Sequence, residues 1–347
     1  MNIQSLSVCV PAGCPNNCAY CVSAMNKQPD NTYENLAENA LCRRNNLTAE
    51  QEEEYDLLWQ QYANRMAFAR DNGCNTMMIT SSGEALMNMG FIAALCQMNR
   101  DLRQPFRWIE LQTSGIKLSD EILDLLRRYG ISTICLSLAD IFDDHSNARI
   151  NGIQLRYQFV LEDLCRRIKQ HGFNLRLSLN MSDVYNGVAP EQIFARAAEL
   201  GANQITFRKL YVSDIYKGTP QAKWIEEHPY GYRKHHPKED GAPIGDLLHF
   251  STEWHEAYGG RRPLDKNYGT IFINHFQELN RYIVDNGIPL ELLPFGAMRY
   301  SVHGLSTVVD LNCMNKGVKD DGSVKYLILR PDCHLYTRWD DPASLLF

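Results

Sequence analysis

Two hydrophobic periods alternate along this chain. Runs with strand-like patterning cover Ser5 to Val10, Asn75 to Thr80, Arg107 to Gln112, Ser132 to Leu138, 174–180 and 203–209. Between them, 48–72, 84–100, 118–129, 154–171 and 190–200 space their apolar residues as helices do. The first helix has an explicit start. Thr48-Ala-Glu-Gln51 fits a capping box, and Glu50 and Glu52 to Glu54 suit the positive end of the helix. Tyr55, Leu58, Trp59, Tyr62, Met66 and Phe68 then carry the apolar stripe to a stop at Asn72-Gly73.

Strand followed by helix, repeated six times, implies a parallel sheet with right-handed crossovers. Six units fall short of the eight of a closed barrel. The expected architecture is α/β: a partial (β/α)6 TIM-like barrel over 1–211. The rhythm then breaks over 212–262, which holds Pro220, Pro229, Pro237 and Pro243. Loops after strand C-termini build the active face of such folds, so this insertion is expected to be a lid over it. Helical spacing resumes near Leu264 through Ile271, Phe272, His275, Phe276, Leu279, Tyr282 and Ile283, giving a last core helix over 263–287. Residues 288–347 read as a β-rich cap closing the open side. Within it, Ser306 to Leu311 and Lys325 to Leu329 look like a hairpin with a long loop.

The 347 residues carry a net charge of −6, with 44% hydrophobic and 22% charged residues. That balance is ordinary for a globular protein and gives no broad basic face for long nucleic acid. No apolar run approaches a membrane span, and Met-Asn-Ile-Gln-Ser shows no signal peptide. There are eleven cysteines. Cys74, Cys96, Cys135 and Cys165 fall in expected strands or helices, where a free thiol behaves as a small apolar group. No secreted disulfide framework is visible, so a reducing cytoplasm is the expected location.

The chemistry-bearing residues are Cys14, Cys18 and Cys21, spaced Cys-x3-Cys-x2-Cys directly after the first strand. Three thiolates on one tight loop can hold three irons of a four-iron cluster and leave the fourth open. A closed cluster or a structural zinc wants four protein ligands. A zinc knuckle completed by Cys9 or a distant histidine is the alternative. With Tyr20 just before the third cysteine, the loop resembles the signature of the radical S-adenosylmethionine (radical SAM) enzymes.

That resemblance covers roughly residues 5–210 and implies a [4Fe-4S] cluster and S-adenosylmethionine as cofactors. Ser82-Gly83-Glu84-Ala85 is similar to the family's Gly-Gly-Glu-Pro segment, where the methionine amine is held, with Ser for the first Gly and Ala for Pro. Thr113-Ser114-Gly115 is similar to the family's Thr-Asn-Gly. Ser137 and Asn180 occupy strand positions that contact the cofactor in the family, and Tyr20 is expected near the adenine. Arg208, at the end of the sixth strand, offers a cation to a carboxylate or phosphate. Asp140 is either substrate-facing or a cap. The resemblance also implies reductive cleavage to a 5′-deoxyadenosyl radical that abstracts a substrate hydrogen, with an electron donor such as flavodoxin or ferredoxin.

The substrate is read as a small molecule or nucleotide. A peptide is the alternative, disfavoured because the cysteine loop begins by residue 14 and leaves no room for a leader-binding domain. A non-enzymatic iron–sulfur or zinc sensor is the rival from another class. His228, His235, His236, His249, His255, Trp224 and Trp254 gather in the insertion as a stacking surface, with no compact metal spacing. Cys313 and Cys333 are too few for an auxiliary cluster. One of them, or Tyr336, is a candidate hydrogen-atom donor.

Overall fold

In the first strand, Leu6, Val8 and Val10 bury one face while Ser5, Ser7 and Cys9 line the other. Every core strand repeats this division, and it determines the architecture. The computed structural model describes residues 3–26, 48–210, 212, 216–235, 270–293, 297–309, 324, 326–338 and 344–346. In chain order the elements are β1 (Ser5–Val10), α1 (Val22–Asn26), α2 (Ala49–Asp71), β2 (Thr76–Ser81), α3 (Met89–Asp101), β3 (Trp108–Thr113), α4 (Asp120–Arg128) and β4 (Thr133–Leu138). Then follow α5 (Asp144–Ile150), α6 (Leu161–Gln170), β5 (Asn174–Met181), α7 (Pro190–Glu199), β6 (Gln204–Lys209) and α8 (Pro220–Glu227). The remainder is β7 (Gly231–His235), β8 (Thr270–Asn274), α9 (Phe276–Asn286), β9 (Gly287–Leu292), β10 (Met298–Val302), β11 (Leu305–Val309), β12 (Tyr326–Leu329) and β13 (Leu335–Tyr336).

Strands β1 to β6 pair in sequence order, all parallel, at the centre of an 11-stranded sheet ordered β13-β12-β1-β2-β3-β4-β5-β6-β11-β10-β9. Their outer-face residues, such as Leu111, Leu136 and Leu177, share one core with helix residues Tyr62, Leu95, Leu126, Ile168 and Phe194. The opposite, inner face is polar in register. Gln112 pairs with Cys135, Cys135 with Arg176, and Arg176 with Gln204; two tiers higher, Asn180 pairs with Arg208. Among the described residues the two edge strands, β13 and β9, do not pair, so the sheet is an open arc of the partial-barrel kind.

The structure departs from the sequence reading in several places. The expected helix 84–100 is a 3-10 turn, Ala85–Met87, then α3. Asn88 separates them: its side chain caps Phe91 and donates to the carbonyl of Pro11 at 2.8 Å. The expected helix 154–171 starts only at Leu161, because Leu155–Tyr157 forms a separate turn and Phe159 packs beside Ile116, Ala148 and Ile153. Helix α5 was not anticipated. Residues 270–274, read as helix, form β8 instead, antiparallel to β7, and α9 follows.

The supposed hairpin of Ser306 to Leu311 with Lys325 to Leu329 does not form. β11 pairs with β10 and joins β6, while β12 inserts beside β1 at the other edge. The C-terminal strands thus extend both flanks of the parallel sheet. Cys313, His236, His249, His255 and Trp254 lie outside the described residues.

Candidate active site

The chain leaves β1 at Val10 and turns through the three cysteines at the C-terminal ends of the parallel strands. Cys14 is exposed; Cys18 and Cys21 are half-buried; none of the three is in a disulfide. Sγ of Cys21 accepts the Ala24 N–H at 3.3 Å, at the start of α1, and Sγ of Cys18 donates to the carbonyl of Asn151 at 3.3 Å. Burial pushes the Cys18 thiol up to about 12, and the neighbouring charges of Cys21 and Cys14 add to the rise. The three sulfurs therefore feel one another.

Among the described residues, no three His, Cys, Asp or Glu side chains converge tightly enough for one metal ion. A cube of four irons and four sulfides asks for something different. Each thiolate takes its own corner, so the sulfurs stand apart. Cys9, the proposed fourth zinc ligand, is buried in β1. The donor set of three soft thiolates fits a cluster with one iron left open better than a closed tetrahedral ion.

The loop is gripped by the turn after β2. Hydroxyls of Thr80 and Ser81 donate to the carbonyls of Val8 and Val10, at 3.2 and 2.8 Å. The N–H of Glu84 donates to the carbonyl of Gly13 at 3.1 Å. A Cβ at Gly83 would lie 2.2 Å from the carbonyl oxygen of Ala12 and 2.5 Å from that of Gly13, so only glycine permits this approach. Ser82 stands in the same turn. The Glu84 side chain faces away from solvent and is 3% exposed. Its Oε1 accepts from the Thr113 hydroxyl at 2.6 Å and the Leu86 N–H at 3.3 Å, and its Oε2 from Ser114. Burial pushes the Glu84 carboxyl up, partly offset by these donors. Glu84 and Thr113, both expected beside the cofactor, thus bind each other and tie β2 to β3.

Tyr20 is the hub on the other side. Its phenol donates to Oδ1 of Asn151 at 2.5 Å and accepts from Nδ2 of Asn180 at 2.9 Å. The same Asn180 amide reaches the Ser137 hydroxyl at 3.1 Å and the carbonyl of Leu138 at 3.2 Å. Burial pushes the Tyr20 phenol well up; the Cys18 charge adds to this and Arg208 opposes it. Tyr20, Ser137, Asn180 and Arg208 are thus brought together on one side of the cysteine loop. Oδ1 of Asp140 accepts from the N–H groups of Phe142 at 2.9 Å and Asp143 at 3.3 Å and closes the turn before α5, whose N-cap is Asp143.

The described part of the insertion reaches this hub. Trp224 of α8 lies 5.9 Å from the Tyr20 ring and stacks on His228 at 4.3 Å. Deeper on the inner face, Arg176 binds both oxygens of Glu110 at 3.0 and 3.1 Å and Thr206 at 3.0 Å, and Gln112 adds 3.1 Å to Glu110. Arg176 is four residues before Asn180 on β5, so this tier lies about 13 Å below the mouth.

A family model described as the Radical SAM superfamily matches residues 8–193, more than half of the chain. The chain belongs to the radical SAM superfamily. Its cofactors are the [4Fe-4S] cluster and S-adenosylmethionine of that superfamily. No curated protein matches the chain significantly. Similar solved structures include SuiB of Streptococcus suis bound to S-adenosylmethionine (12% identity, TM-score 0.46, covering 97% of this chain and 60% of that one). They also include anSMEcpe with bound AdoMet (13%, 0.47, 99% and 77%) and coproporphyrinogen III oxidase of Escherichia coli (14%, 0.43, 87% and 65%). The chain thus spans three fifths of the SuiB chain. No described helix is long and apolar enough to cross a membrane.

Several residues that shape this radical SAM site were missed in the sequence. Asn151 and Gly152 carried no motif, because their contacts are with the cysteine loop some 130 positions earlier, and Asn147 joins that loop only through Asn151. Asn88 was hidden inside an apparent helix. Ser114 was named only as part of Thr-Ser-Gly, yet it supplies two of the bonds to Glu84.

Proposed function

We propose that this radical SAM protein cleaves S-adenosylmethionine reductively to a 5′-deoxyadenosyl radical, which takes a hydrogen atom from a small-molecule or nucleotide substrate. The carrying observation is the meeting of three cysteine thiols and the Tyr20–Asn180–Ser137 hydrogen bonds at the mouth of a polar sheet face. In this reading Cys14, Cys18 and Cys21 hold the cluster. Tyr20, Ser82, Gly83, Asn180 and Arg208 border the cofactor. Glu84, Thr113 and Ser137 keep those neighbours in place. The cluster supplies the electron for cleavage when bound. The protein supplies fixed geometry and exclusion of water, so that one substrate hydrogen is in reach.

The stacked Trp224 and His228 favour a planar substrate such as a base, and the hydroxyl, amide and guanidinium groups of the inner face suit a polar one. A diffusible cytoplasmic reductant of the flavodoxin or ferredoxin class supplies electrons in this account. The test is anaerobic turnover with deuterated nucleosides, nucleotides and small polar acids, following deuterium into 5′-deoxyadenosine. Transfer from a nucleoside or other small molecule supports the reading. Transfer only from added peptide contradicts it. Trp224→Ala should weaken use of a planar substrate by roughly tenfold, the scale of a lost stacking contact.

A further inference from the structure

The cysteine loop is also held from a second side, by the segment that ends α5. Backbone N–H groups of Asn17 and Ala19 donate to the carbonyls of Gly152 and Ile150 at 3.2 and 2.9 Å. Gly152 has φ of +56°, and a Cβ there would lie 2.3 Å from the Asn17 carbonyl oxygen and 2.8 Å from its nitrogen. The two backbones touch with no space for a side chain.

Asn151 works between them. Its Oδ1 accepts the Tyr20 phenol at 2.5 Å, and its Nδ2 donates to Oδ1 of Asn147 at 2.9 Å. Asn147 in turn accepts the Ala139 N–H at 2.9 Å, just past the end of β4. From Tyr20 the chain of bonds continues to Asn180 on β5. Asn147, Asn151 and Asn180 are 3, 2 and 4% exposed, so the whole run is shut off from water. A buried hydrogen-bond network acts as a unit, and loss of either end releases the same constraint.

We infer that Asn151 is a positioning residue for the cysteine loop. It pins Tyr20, and through Tyr20 the wall against which S-adenosylmethionine binds. The inference rests on the cofactor assignment above. The main-chain bonds of Gly152 and Ile150 set where the loop lies; the Asn151 side chain sets how the aromatic ring is presented.

The test uses the full chain, prepared anaerobically with and without the cluster, as wild type, Asn151→Leu, Asn151→Asp, Tyr20→Phe and the Asn151→Leu/Tyr20→Phe double variant. Asp keeps the acceptor that Tyr20 needs. In the cluster-free chain, amide exchange over 14–21 should quicken roughly tenfold in Asn151→Leu and in Tyr20→Phe, the double variant being no faster than either, and Asn151→Asp, which keeps the acceptor for Tyr20 but loses the donor to Asn147, falling between wild type and Asn151→Leu. In the loaded chain, the change that S-adenosylmethionine causes in the paramagnetic spectrum of the reduced cluster should weaken in the same order.

Unchanged exchange in Asn151→Leu overturns the inference. So does a double variant equal to the product of the singles. Should Asn151→Leu fail to fold, Tyr20→Phe decides, and wild-type exchange there contradicts the proposal. A wild-type cluster blind to S-adenosylmethionine sinks the cofactor assignment instead, while exchange in the cluster-free chain still judges Asn151.

Discussion

Glu84 and Ser114 are joined twice: Oε2 of Glu84 accepts the Ser114 backbone N–H at 2.9 Å and its hydroxyl at 2.7 Å. The other oxygen takes Thr113 and Leu86. One buried carboxylate thereby closes the turns after β2 and β3 over each other, and Asn16 of the cysteine loop donates to the same Ser114 hydroxyl at 3.1 Å. The Ser-Gly-Glu segment is a joint between strands.

Glu84→Gln should test that joint. An amide has one acceptor oxygen, so its NH₂ meets buried donors on one side. Stability should fall by about 2–4 kcal/mol in chemical denaturation. The pH profile should change as well. Because burial raises the folded-state carboxyl above its ordinary 4.5, the unfolded chain releases this proton first. The wild type therefore loses stability as pH climbs from about 4.5 through the raised value, and the Gln variant lacks that component of the slope.

Cys18 should be slow to alkylate in the cluster-free chain. With its thiol pushed to about 12, mainly by burial, its thiolate fraction rises tenfold per pH unit from 7 to 11. Iodoacetamide labelling followed by mass spectrometry should show Cys18 tracking that slope and lagging exposed Cys14 throughout. Equal labelling of the two at pH 8 would contradict the buried placement of Cys18.

Gly83→Ala and Gly152→Ala should each disturb the loop from opposite sides. The obstacles are backbone atoms at 2.2 and 2.3 Å, which cannot swing aside as a flexible side chain does. A cost of about 2–4 kcal/mol is expected, larger at Gly152 where φ is also positive. Iron and sulfide uptake should drop while far-ultraviolet circular dichroism stays native.

The Glu110–Arg176 pair below the mouth should depend on both partners. Arg176→Met leaves a carboxylate that is 6% exposed without its guanidinium, and should cost about 3–5 kcal/mol. Adding Glu110→Leu should recover a good part of that loss. A double variant as unstable as Arg176→Met alone would show that the pair is not the coupled unit described.

Much of this was legible because local patterns and local structure agreed. Ser5 to Val10 is a strand as read, and the other core strands fall within a residue of expectation because Leu175, Leu177 and Leu179, and their equivalents, keep strict alternation. The cysteine loop carries its chemistry in its own spacing. What failed was non-local or short. Asp144–Ile150 is too brief to show a period, although Asp143 does cap it. Thr-Ile-Phe-Ile-Asn over 270–274 matches both a strand and the stripe of the helix after it. The place of β12 beside β1 depends on pairing across more than 300 residues, such as Leu6 with Leu327. Asn151 reads as an ordinary loop residue until Tyr20 is seen against it.

The most direct test of the central claim is anaerobic formation of 5′-deoxyadenosine. The chain is loaded with iron and sulfide, reduced with dithionite and given S-adenosylmethionine. The account predicts 5′-deoxyadenosine from the wild type and none when Cys14, Cys18 and Cys21 are changed to Ala. A wild type that binds zinc through four ligands, takes up no cluster and forms no 5′-deoxyadenosine with any substrate or reductant would contradict it.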